Sequence, residues 1–181
     1  MITYNEALEM MLGRAQPIVR TETVPTLYAE GRVLAQDVVS AINVPGWDNS
    51  QMDGYAVRSC ELAGASEKTP VRLPVSDRIP AGSKGGPLAP GSCARIFTGA
   101  PIPEGADAVV AQEDVTVDGS EVVFTAPAPE GCWVRKTASD VAAGATVAKA
   151  GETLTPALLG LIASVGTSYV TVFKHLRVGV F

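Results

Sequence analysis

The sequence predicts an α+β chain that is mostly β, in which an elongated helix-plus-strand domain is interrupted by an inserted small β domain of barrel or sandwich type. Three observations carry that prediction. Short apolar runs separated by glycine and proline fill the middle of the 181 residues. Helical periodicity is confined to segments near the two ends. The later of these helices has an apolar face that needs a partner. The expected boundaries are 1–47 with 133–174 for the outer domain and 48–132 for the inserted one, with 175–181 opening a further domain.

Thr3 followed by Glu6 is a capping-box pattern, and Ala7, Leu8, Met11 and Leu12 share one helical face before Gly13 and Pro17 end it. Methionines on such a face read as core or subunit contact, because a flexible thioether fills irregular gaps. A second short helix is expected at 27–30, stopped by Gly31, and residues 32–40 alternate well enough for a strand.

The run PGWDNSQMDGYAV, 45–57, then crowds Asp48, Asn49, Ser50, Gln51 and Asp53 between Pro45-Gly46 and Gly54, which leaves neither helical nor strand periodicity. Two readings are open on the residues alone. One is a surface turn, since Asp, Asn, Ser and Gly each favour turns for a backbone reason. The other is an oxyanion or metal site, with Asp48 and Asp53 as hard oxygen ligands and Gly54 letting a ligand approach the backbone.

After Val57 come VRLPVSDRIPAG, GGPLAPGSCARIF and ADAVVAQEDVTVDGSEVVF, short β segments in which Pro70, Pro74, Pro80, Pro87 and Pro90 belong at edges, strand starts and turns. Asp118-Gly119 is the strongest hairpin signal, of the two-residue type that needs positive φ at both centres. The similar turns AAGATV and KAGETL, seven residues apart, suggest successive short strands. Thr155-Pro156 caps and opens a helix whose apolar face, Leu158, Leu159, Ile162 and Ala163, runs until Gly166. The first helix and its neighbours are the expected partner for that face, with a dimer contact as the second candidate. Residues 169–173 read as a strand, and 177–181, RVGVF, as the opening of another, so the chain is expected to be the amino-terminal part of a longer protein.

Composition narrows the chemistry. With 14 Lys plus Arg against 19 Asp plus Glu and no basic run, nucleic acid is not an expected partner. No apolar run approaches the roughly 20 residues of a membrane-spanning helix, and no signal-peptide pattern opens the chain, so a cytoplasmic location without membrane contact is expected. Cys60, Cys93 and Cys132 lack metal or disulfide spacing and read as small, partly buried residues. His175 is the only histidine, which removes Ser-His-Asp and Cys-His chemistry from within this chain. Little positive charge is expected near the polar motifs.

Two blocks, PGWDNSQMDGYAV and RIFTGAPIPEGADAVVAQED (95–114), resemble the signatures of the molybdopterin molybdotransferases, the MoeA-type enzymes whose eukaryotic relatives include the E domain of gephyrin. The resemblance runs through nearly the whole chain. It implies the amino-terminal region of that fold, with 175–181 as the first strand of an α/β cofactor-binding domain. The implied activity is a transferase of molybdenum cofactor biosynthesis that inserts molybdate into adenylated molybdopterin and releases AMP, with Mg2+. A homodimer sharing an active-site cleft is implied too, with molybdopterin adenylyltransferase and downstream cofactor-maturation proteins as further partners. By the same resemblance Asp53 is catalytic and a metal ligand, Thr98 is catalytic, and Ser50, Gly99 and Asp140 bind cofactor. Where the family commonly carries an Arg-rich Gly-Glu-Asp stretch, Arg135, Lys136, Thr137, Ala138 and Ser139 precede Asp140 here. Gln112 and Glu113 read as supporting neighbours or as the polar end of a β segment. Without the α/β domain the chain is expected to be inactive alone. The alternative is a non-catalytic dimerisation or scaffold module of the gephyrin type.

Overall fold

The computed structural model describes residues 2–16, 19–177 and 179–180. Its elements begin with helix α1 (Tyr4–Arg14), strand β1 (Thr21–Pro25), a 3-10 turn (Thr26–Tyr28) and β2 (Val38–Val39). There follow β3 (Asn49–Ser50), β4 (Gly54–Val57), β5 (Val71–Ile79), β6 (Cys93–Ile96), β7 (Ala108–Ala111), β8 (Val115–Asp118), β9 (Glu121–Phe124) and β10 (Val134–Arg135). The last three are β11 (Thr146–Ala148), α2 (Pro156–Ser164) and β12 (Tyr169–Phe173). Two compact units result, 42–143 and the flanks 1–41 with 144–181. The strand expected over 177–181 falls partly on Val178 and Phe181, which lie outside the described residues.

In the flanking unit β1 pairs antiparallel with β12, Thr21 opposite Phe173, and β2 pairs with β11. Leu34, Leu154, Ile162 and Val172 form the centre of its core. Thr155 caps α2 through its side chain, which accepts from the Leu158 N–H at 3.3 Å, and Pro156 stands at the first turn as read. The partner of α2 is β11, the 3-10 turn and the β12 side of this core, not the first helix. The two similar turns do separate short segments: Gly144 and Gly151 take φ of 85° and 90°, and their N–H groups donate to the Ser40 and Leu34 carbonyls.

Three expectations change here. Helix α1 has its capping box, yet it buries no residue, and Met10, Met11 and Leu12 stay exposed, so of the two expected roles for this face, core and subunit contact, the core role is the one that falls. The helix expected at 27–30 is a three-residue 3-10 turn one position earlier. Residues 32–40 are not one strand, because the chain changes partner. Leu34 bridges to Val172 and the Ala35 N–H reaches the Thr171 carbonyl, after which the backbone bends and Val38–Val39 joins β11.

The 42–143 unit is built on a six-stranded sheet in the order β7-β4-β6-β5-β9-β8. Only β5 and β6 run parallel. The edge strands β7 and β8 are joined by just the turn Gln112–Asp114. Four Cα steps span at most about 15 Å, whereas the edges of a flat six-stranded sheet stand about 24 Å apart. The sheet must therefore curl into an incomplete barrel. Strand β5 makes the bend: its first half, through Pro74, pairs with β9, and its second half pairs with β6. Pro74 sits inside a strand, at the point where the ladder changes partner, which is why its missing N–H is tolerated. The hairpin forms one residue later than expected. Asp118 pairs with Glu121, so Gly119 and Ser120 turn the corner, and of the two only Gly119 has positive φ, at 63°.

The PGWDNSQMDGYAV run is not simply a loop. Gly54–Val57 is an interior strand between β6 and β7, and it buries both faces. Tyr55 and Val57 enter one core with Leu62, Cys93, Val122 and Phe124, while Ala56 enters another with Ile79, Ile96 and Val109. A strand buried on both sides has no alternation to read. Cys93 is fully buried, and burial pushes its thiol up to about 12, while Cys60 is exposed. Among the described residues no helix is long and apolar enough to cross a membrane.

Candidate active site

The register of β4 on β6 builds the site. Gly54 lies opposite Ile96 in the antiparallel pair, so the residues just beyond, Asp53 and the Phe97-Thr98 turn, meet at the same sheet end. Thr98 donates twice to Asp53 Oδ1, from its backbone N–H at 2.8 Å and from Oγ1 at 2.7 Å. Asp53 Oδ2 takes no hydrogen bond from any described residue. The Thr98 amide, then its hydroxyl, then the charge of Arg95 hold the Asp53 carboxyl below the ordinary aspartate value. One oxygen is thus fixed and the other is open.

Ser50 fastens the two motif blocks together. It is buried, its hydroxyl donates to the Met52 carbonyl at 2.6 Å, and its carbonyl accepts the Gly99 N–H at 2.8 Å. The Gly99 amide is therefore committed to Ser50, at a glycine with φ of 82°. Gln112 closes the third side: its N–H donates to the Asp53 carbonyl at 3.0 Å and its Oε1 accepts from Arg95. Its amide also donates to Glu113 at 3.1 Å.

Asp140 and Asp48 have other partners. Asp140 accepts from Arg135 and Ser139, and the Arg135 bond holds its carboxyl below the ordinary range. None of these partners is shared with Asp53 or Thr98. Asp48 accepts from the Thr137 N–H at 2.7 Å and from Lys136 at 2.9 Å, which hold it low in the same way. The segment carrying Asp140 meets the motif through β10 on β3, with Val134 opposite Ser50. Asp48 also borders a groove of about 440 Å³ with exposed Trp47 and Lys84 and half-buried Ile102 on its walls.

Positive charge is nearer than the sequence suggested. The Arg95 guanidinium donates to the Gly54 carbonyl at 2.8 Å and lies over the Phe97 ring at 4.5 Å and the Tyr55 ring at 5.3 Å. Arg78 lies over the same Phe97 ring at 4.7 Å. The signal that could have found Arg95 is its two-residue spacing from Phe97 inside the RIFTGAP block, which puts both on one face of a strand. Arg78 has no comparable signal, because its place depends on the parallel register of β5.

These carboxylates set a dependence on pH. A carboxylate whose folded pKa lies below its unfolded value stabilises fully above the unfolded value and loses that contribution as pH falls through the folded one. For Asp48 and Asp53 the ordinary value is 3.8 and both are lowered. The midpoint of thermal unfolding should hence be level above about pH 5 and fall steadily below it. Circular dichroism melts should show a shallower acid decline for the Asp48→Asn/Asp53→Asn protein. An unchanged slope would mean that these bonds do not form in solution.

The structure combines a curled, mostly β unit carrying an Asp–Thr pair at a strand end with a helix-and-strand unit built from the sequence segments on either side of it. The chain belongs to the MoeA N-terminal region family (domain I and II), whose family model matches residues 2–166. A molybdopterin molybdenumtransferase of Synechococcus elongatus is 39% identical over 181 residues, which cover 98% of this chain and 45% of that protein. Molybdopterin molybdenumtransferase 2 of Mycobacterium tuberculosis is 43% identical over 169 residues, covering 93% of this chain and 41% of the relative. The crystal structure of a molybdopterin biosynthesis MoeA protein from Pyrococcus horikoshii matches with a TM-score of 0.87 at 34% identity, over 95% of this chain and 46% of that one. The chain thus spans less than half the length of these relatives.

Proposed function

We propose that this chain is the part of a molybdopterin molybdenumtransferase that supplies subunit contacts and one wall of the active-site cleft. The enzyme acts in molybdenum cofactor biosynthesis, inserting molybdate into adenylated molybdopterin and releasing AMP. The observation that carries the reading is the Asp53–Thr98 pair, which joins the two motif blocks and leaves one carboxylate oxygen open. Ionised at neutral pH, Asp53 can orient a water or a metal-bound group toward a phosphate through Oδ2, while Thr98 fixes the rotamer.

A single open carboxylate oxygen fits Mg2+, which takes one or two carboxylates and fills its shell with waters and phosphate oxygens. Asp53 would hold it, and the bound ion would neutralise charge on the adenylate phosphate. Ser50 and Gly99 act by shaping the turn. Asp140, held by Arg135, offers its outer edge to the cofactor.

A homodimer accords with the exposed apolar side chains of α1, and a cytoplasmic location is part of the same reading. The same exposed helix favours the second reading, a dimerisation or scaffold module without turnover. One assay separates the two. Protein expressed from the complete gene should release AMP from adenylated molybdopterin in a molybdate-dependent way, and the 181-residue chain alone should scatter light as a dimer and release none. A dimeric full-length protein that releases no AMP at any molybdate concentration would establish the scaffold reading instead.

A further inference from the structure

The parallel register of β5 on β6 sets Arg78 directly opposite Arg95. Like charges facing each other across a sheet destabilise it unless something offsets them. Arg95 is offset: it has the Gly54 and Ile96 carbonyls, the Gln112 side-chain oxygen and two aromatic rings. Arg78 has only the Phe97 ring. Among the described residues none of its guanidinium donors meets an acceptor. The acid beside it is spent on backbone, with Asp77 Oδ1 accepting the Arg78 N–H at 2.7 Å and Oδ2 the Gly86 N–H at 3.2 Å. The Arg78 guanidinium lies over the Phe97 ring, so a planar five-donor group stands exposed and without an acceptor at the register position facing a second cation.

Chain connectivity puts this stack at the candidate site. Phe97 immediately precedes Thr98, and Arg95 donates to the carbonyl of Gly54, the residue after Asp53. We propose that Arg78, stacked on Phe97 beside Arg95, forms an oxyanion-binding subsite adjoining Asp53, in which the Arg78 guanidinium takes a phosphate-type or other tetrahedral oxyanion. Bidentate recognition of such a group is what a guanidinium fork does best, and the anion relieves the Arg78–Arg95 repulsion that the register imposes. The identity of the natural anion rests on the function proposed above. The existence of the subsite does not.

The test is binding, without turnover. Inorganic pyrophosphate and sodium molybdate are titrated separately into the 15N-labelled 181-residue chain at constant ionic strength, and the arginine Nε–H signals are followed. Saturable shifts of Arg78 and Arg95 are expected, with pyrophosphate the tighter ligand if the subsite serves the phosphate side and molybdate the tighter if it serves the metal oxyanion. Arg78→Ala, at an exposed position where folding is not at risk, should weaken binding about tenfold, as for the loss of a charged hydrogen bond. Arg78→Lys should fall between wild type and alanine, and Phe97→Leu should weaken binding severalfold with both cations still present. Arg72→Ala on the same strand, whose guanidinium is paired with Asp118 at 2.7 Å, should bind as wild type does. The proposal is overturned if neither anion shifts Arg78, or if Arg72→Ala weakens binding as much as Arg78→Ala. Saturable binding together with a full-length protein that releases no AMP would keep the subsite and remove the enzymatic reading.

Discussion

Replacing Gly54 by alanine should lower the unfolding midpoint of the 42–143 unit by on the order of 10 °C, corresponding to about 3 kcal/mol or more. A methyl group built on Gly54 would lie 2.0 Å from the Val110 carbonyl oxygen and 2.9 Å from its carbon. Both are backbone atoms of β7, so no side chain can turn away to make room. The φ of Gly54 is not in the left-handed region, which makes the requirement one of space and not of backbone freedom. Strand β4 would have to separate from β7, loosening two cores at once, since its alternate side chains enter different clusters. Gly64→Ala is the matched comparison. It has nothing within 4 Å and no positive φ, and it should leave the midpoint unchanged or slightly raised by reducing the freedom of the unfolded chain. If both variants melt within about 2 °C of the wild type, on the scale that separates a real loss from scatter, the close approach of β4 and β7 is not maintained in solution.

The same glycine explains part of what the sequence conceals. In MDGYAV the polar residues signal a turn and Gly54 looks like a turn glycine, yet it is the first residue of an interior strand, selected because β7 passes so close. Its strand character comes entirely from β6 and β7, which lie more than 35 residues downstream, and local pattern cannot report pairing at that range. By contrast α2 was legible throughout, because the Thr155 cap, Pro156 and Gly166 act locally and need no partner to be read. Residues 32–40 misled because alternation marks a residue as able to pair, not with what. A chain that leaves β12 for β11 must bend in between. At the site, Asp53 and Thr98 stand 45 residues apart; the polar run marks Asp53 as one possible oxygen ligand but only resemblance singles out Thr98, while their contact follows from the register of Gly54 on Ile96. Arg78 stayed hidden for the same reason as β4, because parallel pairing of β5 and β6 brings it to Arg95.

In the full-length protein Asp53→Asn should reduce molybdate-dependent AMP release on the order of 100-fold or more, within the range typical of a positioned acid–base group. The side chain keeps its size, so loss of the negative charge on the open oxygen is the main change. Thr98→Val removes the hydroxyl bond to Oδ1 but keeps the amide bond, so a loss of about tenfold is expected, the lower end for a hydrogen bond to a charged group. Thr98→Ser retains both donors and should stay near wild type. The double variant decides how Thr98 acts. If Thr98 works only by fixing Asp53, Asp53→Asn/Thr98→Val should be no slower than Asp53→Asn alone, because residues acting as one unit do not add. If the two losses multiply to about 1,000-fold, Thr98 touches the substrate itself and its hydroxyl must leave Asp53 during the reaction. The structure favours the first result, since both Thr98 donors already point at a single carboxylate oxygen and a second partner would have to break one of those bonds.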